Sequence, residues 1–269
     1  RYIFFIRPRR FGKSLLLTLL EGYYDINSKD KFDILFGKTD IGKTPTALRN
    51  SYKILKFNFS LVDPAPQRLE ESFEIYCNTI IRNFTKRYKE DFSLEFIKNL
   101  NSLKSVSAKL NEIFAEWRNH KSKIYILIDE YDNFANTILS TSGSDAYQKL
   151  THGEGFFRHF FAVLKGGTTD INSGLDRMLI TGVSPITLDD VTSGFNIGKN
   201  ISLIEEFNEM LGFTEEEVKV MLEYYKQSGE LKTDTKKCFE IIQKWYDGYT
   251  FAKYSEKTLF NKDMFLYFI

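Results

Sequence analysis

Four short apolar runs punctuate the chain. Tyr2 to Ile6 and Lys123 to Ile128 are apolar with no polar alternation. Arg177 to Val183 is similar, and Lys53 to Phe59 alternates only loosely. Runs of this length, rich in β-branched and aromatic residues, predict strands, and missing alternation predicts burial on both faces. Between them lie stretches with helical spacing: Ser14 to Tyr24, Arg68 to Tyr88, Ser107 to Asn119 and Phe156 to Lys165. Leu15, Leu16, Leu17, Leu19 and Leu20 make the first of these apolar nearly all round. Strands alternating with helices predict an α/β fold of three layers, a parallel sheet with helices on both faces.

The pattern changes near residue 205. Thr214 followed by Glu217 forms a capping box heading a helix to about Ser228, and Thr235 to Trp245 predicts another. No strand–helix alternation continues there. The expected division is a core over residues 1–204 and a small helical subdomain over 205–269, beginning around Glu205 to Gly212. No Pro- or Ser-rich linker separates them, so the subdomain is expected to pack on the sheet. No internal repeat or low-complexity segment interrupts this order.

Composition narrows the classes. The chain has 269 residues, 42% hydrophobic and 27% charged, which suffices for a full core and excludes wholesale disorder. Lys plus Arg is 37 and Asp plus Glu is 36, a net charge of +1, which argues against a protein that coats DNA. Cys77 and Cys238 are far apart, and His120, His152 and His159 do not form a metal-type cluster. A reducing cytosol, hence a cytoplasmic location, is the expectation. No run approaches a membrane span, and no signal peptide is evident. The opening at Arg1 and the apolar close at Phe268-Ile269 read as a piece of a longer protein, cut at both ends.

The sharpest local signal is Arg7-Pro8-Arg9-Arg10-Phe11-Gly12-Lys13-Ser14, with Leu15 following. It follows a predicted strand and opens a predicted helix, the context of a phosphate-binding loop. A helix N-terminus offers unpaired N–H groups and partial positive charge. Gly12 lets the backbone pass close to phosphates, Lys13 reaches the outer phosphates, and the Ser14 hydroxyl holds Mg²⁺. The general pattern G-x-x-x-x-G-K-[ST] has glycine where this chain has Arg7. Pro8 restricts both its own backbone and that of Arg7, so stiffness replaces glycine flexibility.

Lys123 to Ile128 leads into Asp129-Glu130. Adjacent carboxylates at the end of a buried strand need partners, and parallel sheets place ligand sites at that edge. Asp129 would share Mg²⁺ with Ser14, and Glu130 would orient and activate the attacking water. The long separation from Lys13 leaves room for an intervening strand, which Lys53 to Phe59 supplies. A helix-capping role is the bland alternative for Asp132. The third strand ends in Thr181-Gly182-Val183-Ser184. Lying between the loop and the acid strand, it would aim Thr181, or Ser184, at the γ-phosphate and the water. Transition-state charge has Arg9, Arg10, Arg158 and Arg177 as candidates, and surface roles are favoured for the last two. Asp247-Gly248-Tyr249 reads as a turn.

These blocks together resemble the predicted AAA-ATPase-like family of P-loop NTPases. The residues that carry the resemblance are R-P-R-R-F-G-K-S-L, Leu127 to Asp132, Ile180 to Ile186, Thr192 to Ile197, Leu211 to Val218 and Trp245 to Phe251. Arg7 in place of the first glycine fits the family. The resemblance implies an additional-strand P-loop ATPase core with Mg²⁺ and ATP as ligands. Many members carry a PD-(D/E)XK nuclease-like domain after the ATPase, which would lie beyond Ile269. Glu217-Val218-Lys219 has E-x-K spacing, but it sits in a predicted helix without the strand and upstream Asp of such a nuclease.

An ATP-hydrolysing motor or switch is therefore the leading reading. A nucleotide-binding module that hydrolyses little and gates a partner domain stays open, as does a nucleic-acid-binding module in which Arg7, Arg9 and Arg10 touch DNA phosphates. A nucleoside kinase fits poorly, because no arginine-rich lid is evident. Oligomeric state stays open.

Overall fold

The computed structural model describes residues 2–152, 155–169, 172–185, 198–246 and 248–268. The Thr192–Ile197 block, Ile186 and Asp247 lie outside the described residues. The chain runs β1 (Tyr2–Ile6), α1 (Lys13–Tyr24), α2 (Phe32–Phe36), α3 (Asp40–Lys43), β2 (Tyr52–Asn58), α4 (Leu69–Arg87), α5 (Leu94–Ser102) and α6 (Val106–Glu116). It continues with β3 (Lys123–Asp129), α7 (Asn133–Thr151), α8 (Phe156–Gly166), β4 (Leu175–Gly182) and β5 (Lys199–Asn200). Helices α9 (Glu215–Gln227), α10 (Thr235–Tyr246) and α11 (Lys262–Phe268) follow.

The five strands form one parallel sheet in the order β2-β3-β4-β1-β5. The fold is α/β of the P-loop NTPase type, as the sequence predicts. Strand β4 lies between β1 and β3, pairing Ile6 with Gly182 and Ile128 with Ile180. The strand that intervenes in sequence, β2, does not intervene in space; it is the outer edge beyond β3. Tyrosines blunt that edge: Tyr88 Oη accepts from Ile54 N and Tyr76 Oη from Asn58 N.

Strand side chains alternate between two apolar layers. Phe4, Leu55, Phe57, Ile124, Ile126, Ile128, Met178 and Ile180 face the core shared with α4, α6, α7 and α8. Phe5, Tyr52, Ile54, Tyr125, Leu127 and Leu179 face the opposite layer, where Leu17 of α1 meets Leu211 and Leu259. Burial on both faces is why the strands carry no polar alternation. Each large side chain so buried contributes about 2 kcal/mol against the entropy of ordering the chain. The leucine-rich α1 is less enclosed than its composition suggests: Leu15 and Leu19 face outward, 58% and 48% exposed.

Residues 205–268 have an apolar cluster of their own, formed by Val218, Leu222, Cys238, Ile242, Phe260 and Phe265. The capping box at Thr214 and Glu217 is formed in both directions. Phe213 pairs with Phe260 and Tyr249 with Leu259 in short antiparallel bridges. Among the described residues no helix is long and apolar enough to cross a membrane.

Candidate functional site

The C-terminal ends of β1, β3 and β4 lie side by side, and each delivers part of one polar cluster. Strand β1 ends at Ile6, and residues 7–12 turn into α1. Two left-handed residues make the turn, Arg10 (φ 70°) and Gly12 (φ 92°). Gly12 stands at the helix N-cap with no side chain to cap it, and its carbonyl accepts from Leu16 N at 2.9 Å. First-turn N–H groups of α1 are therefore left for a ligand, and alternating backbone hand builds an anion-binding concavity.

Lys13 is 5% exposed, and its Nζ donates to the carbonyls of Arg7 and Pro8, each at 3.0 Å. Burial holds its pKa below the ordinary 10.5, against the opposing pull of Asp129, Glu130 and Asp132. Ser14 Oγ donates to Asp129 Oδ2 at 2.5 Å. The other carboxylate oxygen, Oδ1, accepts from Thr181 Oγ1 at 2.7 Å and from Glu130 N at 3.1 Å. Ser14, Asp129 and Thr181 are thus joined across three elements. Asp129 is almost fully buried and is satisfied by donors on both oxygens, which offsets the cost of burying it. Glu130 follows with a left-handed backbone, φ 49°, and is half-buried at the cluster's rim.

Other residues of the loop sequence serve different ends. Pro8 presents its carbonyl to Lys13. Phe11 is fully buried and packs edge-on to Tyr249 at 4.9 Å and Phe251 at 5.4 Å. Leu15 carries no polar group and lies exposed one residue past Ser14. Arg9 is exposed, and its carbonyl accepts from Asn261 Nδ2 at 3.2 Å. Arg10 pairs with Asp263 at 3.4 Å.

Arg7 is the outlier. Its side chain is 1% exposed and turned into the protein. Nη1 donates to the carbonyls of Ile6 (2.9 Å) and Ser202 (2.8 Å), and Nη2 to that of Phe207 (2.7 Å). The guanidinium lies between the rings of Phe5 and Phe251, at 4.3 and 4.0 Å. Burial lowers its pKa to about 10. Only its main chain faces the loop. Arg177 sits at the start of β4, the end remote from Thr181, where its Nε donates to Tyr52 Oη at 2.7 Å.

Asp132 and Tyr131, which the strand pattern leaves without a site role, organise the end of β4. Asp132 is buried, and its Oδ2 accepts from Val183 N at 3.1 Å, Ser184 N at 2.5 Å and Asn136 Nδ2 at 2.9 Å. Tyr131 Oη donates to the carbonyl of Ser184 at 2.6 Å. Ser184 is thus held through its main chain. The bland reading of Asp132 as a cap misses this: it stands at the head of α7 but makes no side-chain cap there. A second acid three positions past Asp129, just beyond the end of the same apolar strand, was the available signal.

The described donors are hard oxygens, a hydroxyl and a carboxylate, beside a buried ammonium and a helix N-terminus. That set suits a hydrated Mg²⁺ and a phosphate chain. A family described as predicted AAA-ATPase matches residues 1–192, which takes in the loop, the acid strand and β4 but not the blocks at 211–218 and 245–251. No curated protein and no solved structure matches the chain. With 192 of its 269 residues matched, and its sheet built on the P-loop NTPase plan, the chain belongs to the predicted AAA-ATPase family.

Proposed function

We propose that the chain binds Mg²⁺-ATP and hydrolyses it to ADP and phosphate. The observation that carries this reading is the Ser14–Asp129 hydrogen bond, which joins the head of α1 to the end of β3 across 115 residues. Residues 7–14 are the Walker A loop of the reading, and β3 with Asp129-Glu130 is its Walker B strand. Ser14 and Asp129 hold Mg²⁺, directly or through its water shell. Bound there, the ion would neutralise charge on the β- and γ-phosphate oxygens. Lys13 gives up its contacts to the Arg7 and Pro8 carbonyls and turns to the outer phosphates. Glu130 orients a water in line with the γ-phosphorus and accepts its proton as the oxygen–phosphorus bond forms, while the bond to the β–γ bridging oxygen breaks. Thr181 fixes Asp129 from the side facing β1. Ser184, fixed at the end of β4, supplies a second hydroxyl toward the γ-phosphate.

The working unit is a core over residues 1–204 with a helical subdomain over 205–269, in the cytoplasm. Hydrolysis would drive or gate a further, nuclease-like domain on the full-length chain; the resemblance of the sequence is the support for that part.

Calorimetric titration with ATP, with and without Mg²⁺, tests the binding half. Wild type is expected to bind, and Lys13→Ala to lose binding. Asp129→Asn is expected to bind ATP with little dependence on Mg²⁺. Wild type that stays folded and takes up no ATP would remove the reading.

A further inference from the structure

We propose that Tyr131 and Asp132 are positioning residues for hydrolysis, which hold the backbone of Glu130 in the conformation that aims its carboxylate at the attacking water; the proposal rests on the ATP-hydrolysing reading above. Glu130 stands in the left-handed region, at φ 49°, where residues other than glycine seldom lie because the side chain crowds the main chain. Such a conformation persists where its surroundings over-determine it. Among the described residues no hydrogen bond holds the Glu130 carboxylate, so its direction follows from its main chain. The carboxylate lies close enough to Lys13 to favour that side chain's charge.

The surroundings of Glu130 are a clamp onto β4 and the residues that follow it. Before the side chain, Glu130 N donates to Asp129 Oδ1 at 3.1 Å, the same oxygen that accepts from Thr181 Oγ1. After it, Tyr131 N donates to the Thr181 carbonyl at 3.1 Å, and Tyr131 Oη to the Ser184 carbonyl at 2.6 Å. Asp132 Oδ2 then accepts from Val183 N at 3.1 Å and Ser184 N at 2.5 Å. The chain is thus tied to β4 on both sides of Glu130, and the turn between the ties is left-handed. The clamp itself rests on firm ground. Tyr131 is fully buried edge-on to Phe4, and Asp132 takes a further bond from Asn136 Nδ2 of α7 at 2.9 Å. These bonds run to residues 136 and 181–184, whereas the reading gives the phosphates and the ion to Lys13, Ser14 and Asp129. Loosening the clamp therefore leaves ATP in place, lets Glu130 relax and leaves the water unaimed.

The test measures single-turnover phosphate release from saturating Mg²⁺-ATP, and ATP affinity by titration, each below the melting temperature of the variant used. Asp132→Asn keeps the volume but sets a donor against N–H groups. Misplacing a reacting group by about an ångström costs on the order of a hundredfold, and Asp132→Asn is expected to slow release about tenfold with ATP affinity unchanged. Tyr131→Phe, which removes one hydrogen bond and keeps the ring, is expected to slow it about threefold, and decides by the same criteria if Asp132→Asn does not fold. The double variant Glu130→Gln/Asp132→Asn should release phosphate no more slowly than Glu130→Gln alone, because the clamp acts through the Glu130 carboxylate. Wild-type release by both single variants overturns the proposal and leaves the ATPase reading intact. Loss of ATP affinity to match the loss of rate overturns it by making the clamp a support of the whole pocket. A further drop of the same size in the double variant overturns it by showing action elsewhere, through Ser184. Folded wild type that releases no phosphate removes this proposal together with the reading beneath it.

Discussion

Arg7 occupies the position where the general phosphate-loop pattern has glycine, and the side chain explains why an arginine works there. Its guanidinium satisfies three carbonyls, from Ile6, Ser202 and Phe207, and fills the space between two phenyl rings. The glycine of the general pattern would leave those carbonyls without a donor and the slot between Phe5 and Phe251 empty. Arg7→Gly, although it restores the general pattern, is therefore expected to destabilise the chain by about 3 kcal/mol, with no gain in nucleotide affinity. Urea unfolding of the variant beside wild type measures it; equal stability would show that the three bonds contribute nothing net. The sequence singles out Lys13, Ser14, Asp129 and Thr181, and the structure joins the last three by hydrogen bonds. It does not expose that Arg7 turns into the protein, since an arginine within a basic loop looks like an anion ligand and two of its partners, Ser202 and Phe207, lie about 200 residues on.

Among elements, the strands were legible and several helices were not. A strand buried on both faces writes a continuous apolar run, and β1, β3 and β4 fall within two residues of their predicted bounds. The place of β4 between the loop and the acid strand was also legible, from its hydroxyl-rich end. Helix α7 was not read, because Asn133–Thr151 is rich in Thr and Ser, which are weak helix formers, and it is broken at Gly143 (φ 81°). Strand β5 is two residues long and too short to leave a pattern. The end of β4 shows how tightly these elements meet. A Cβ on Gly182 would lie 2.4 Å from the Tyr131 ring and 2.6 Å from Asp132 Oδ1. Neither neighbour is free to yield, since Tyr131 holds the Ser184 carbonyl and Asp132 holds two backbone N–H groups. Gly182→Ala is expected to cost about 1–3 kcal/mol in the same unfolding assay and to move Thr181 relative to Asp129. A variant as stable as wild type would mean that β4 is not clamped there.

On the scale of the whole molecule, the loop and the C-terminal segment form one structure. Arg7 bonds to Phe207, Phe11 packs on Tyr249 and Phe251, Arg9 takes a bond from Asn261, and Arg10 pairs with Asp263. The sequence predicts a helical segment packed on the sheet, but not that it closes over the loop, because those contacts join residues some 200 to 250 positions apart. A loop gripped in this way is held in shape before any ligand arrives.

Phosphate release from Mg²⁺-ATP by the purified chain tests the central claim most directly, with Glu130→Gln measured beside wild type. Wild type is expected to turn over, and Glu130→Gln to bind ATP with wild-type affinity while releasing phosphate at least about a hundredfold more slowly. Equal phosphate release by the two proteins, or ATP binding by wild type with no release at any protein concentration, would contradict it.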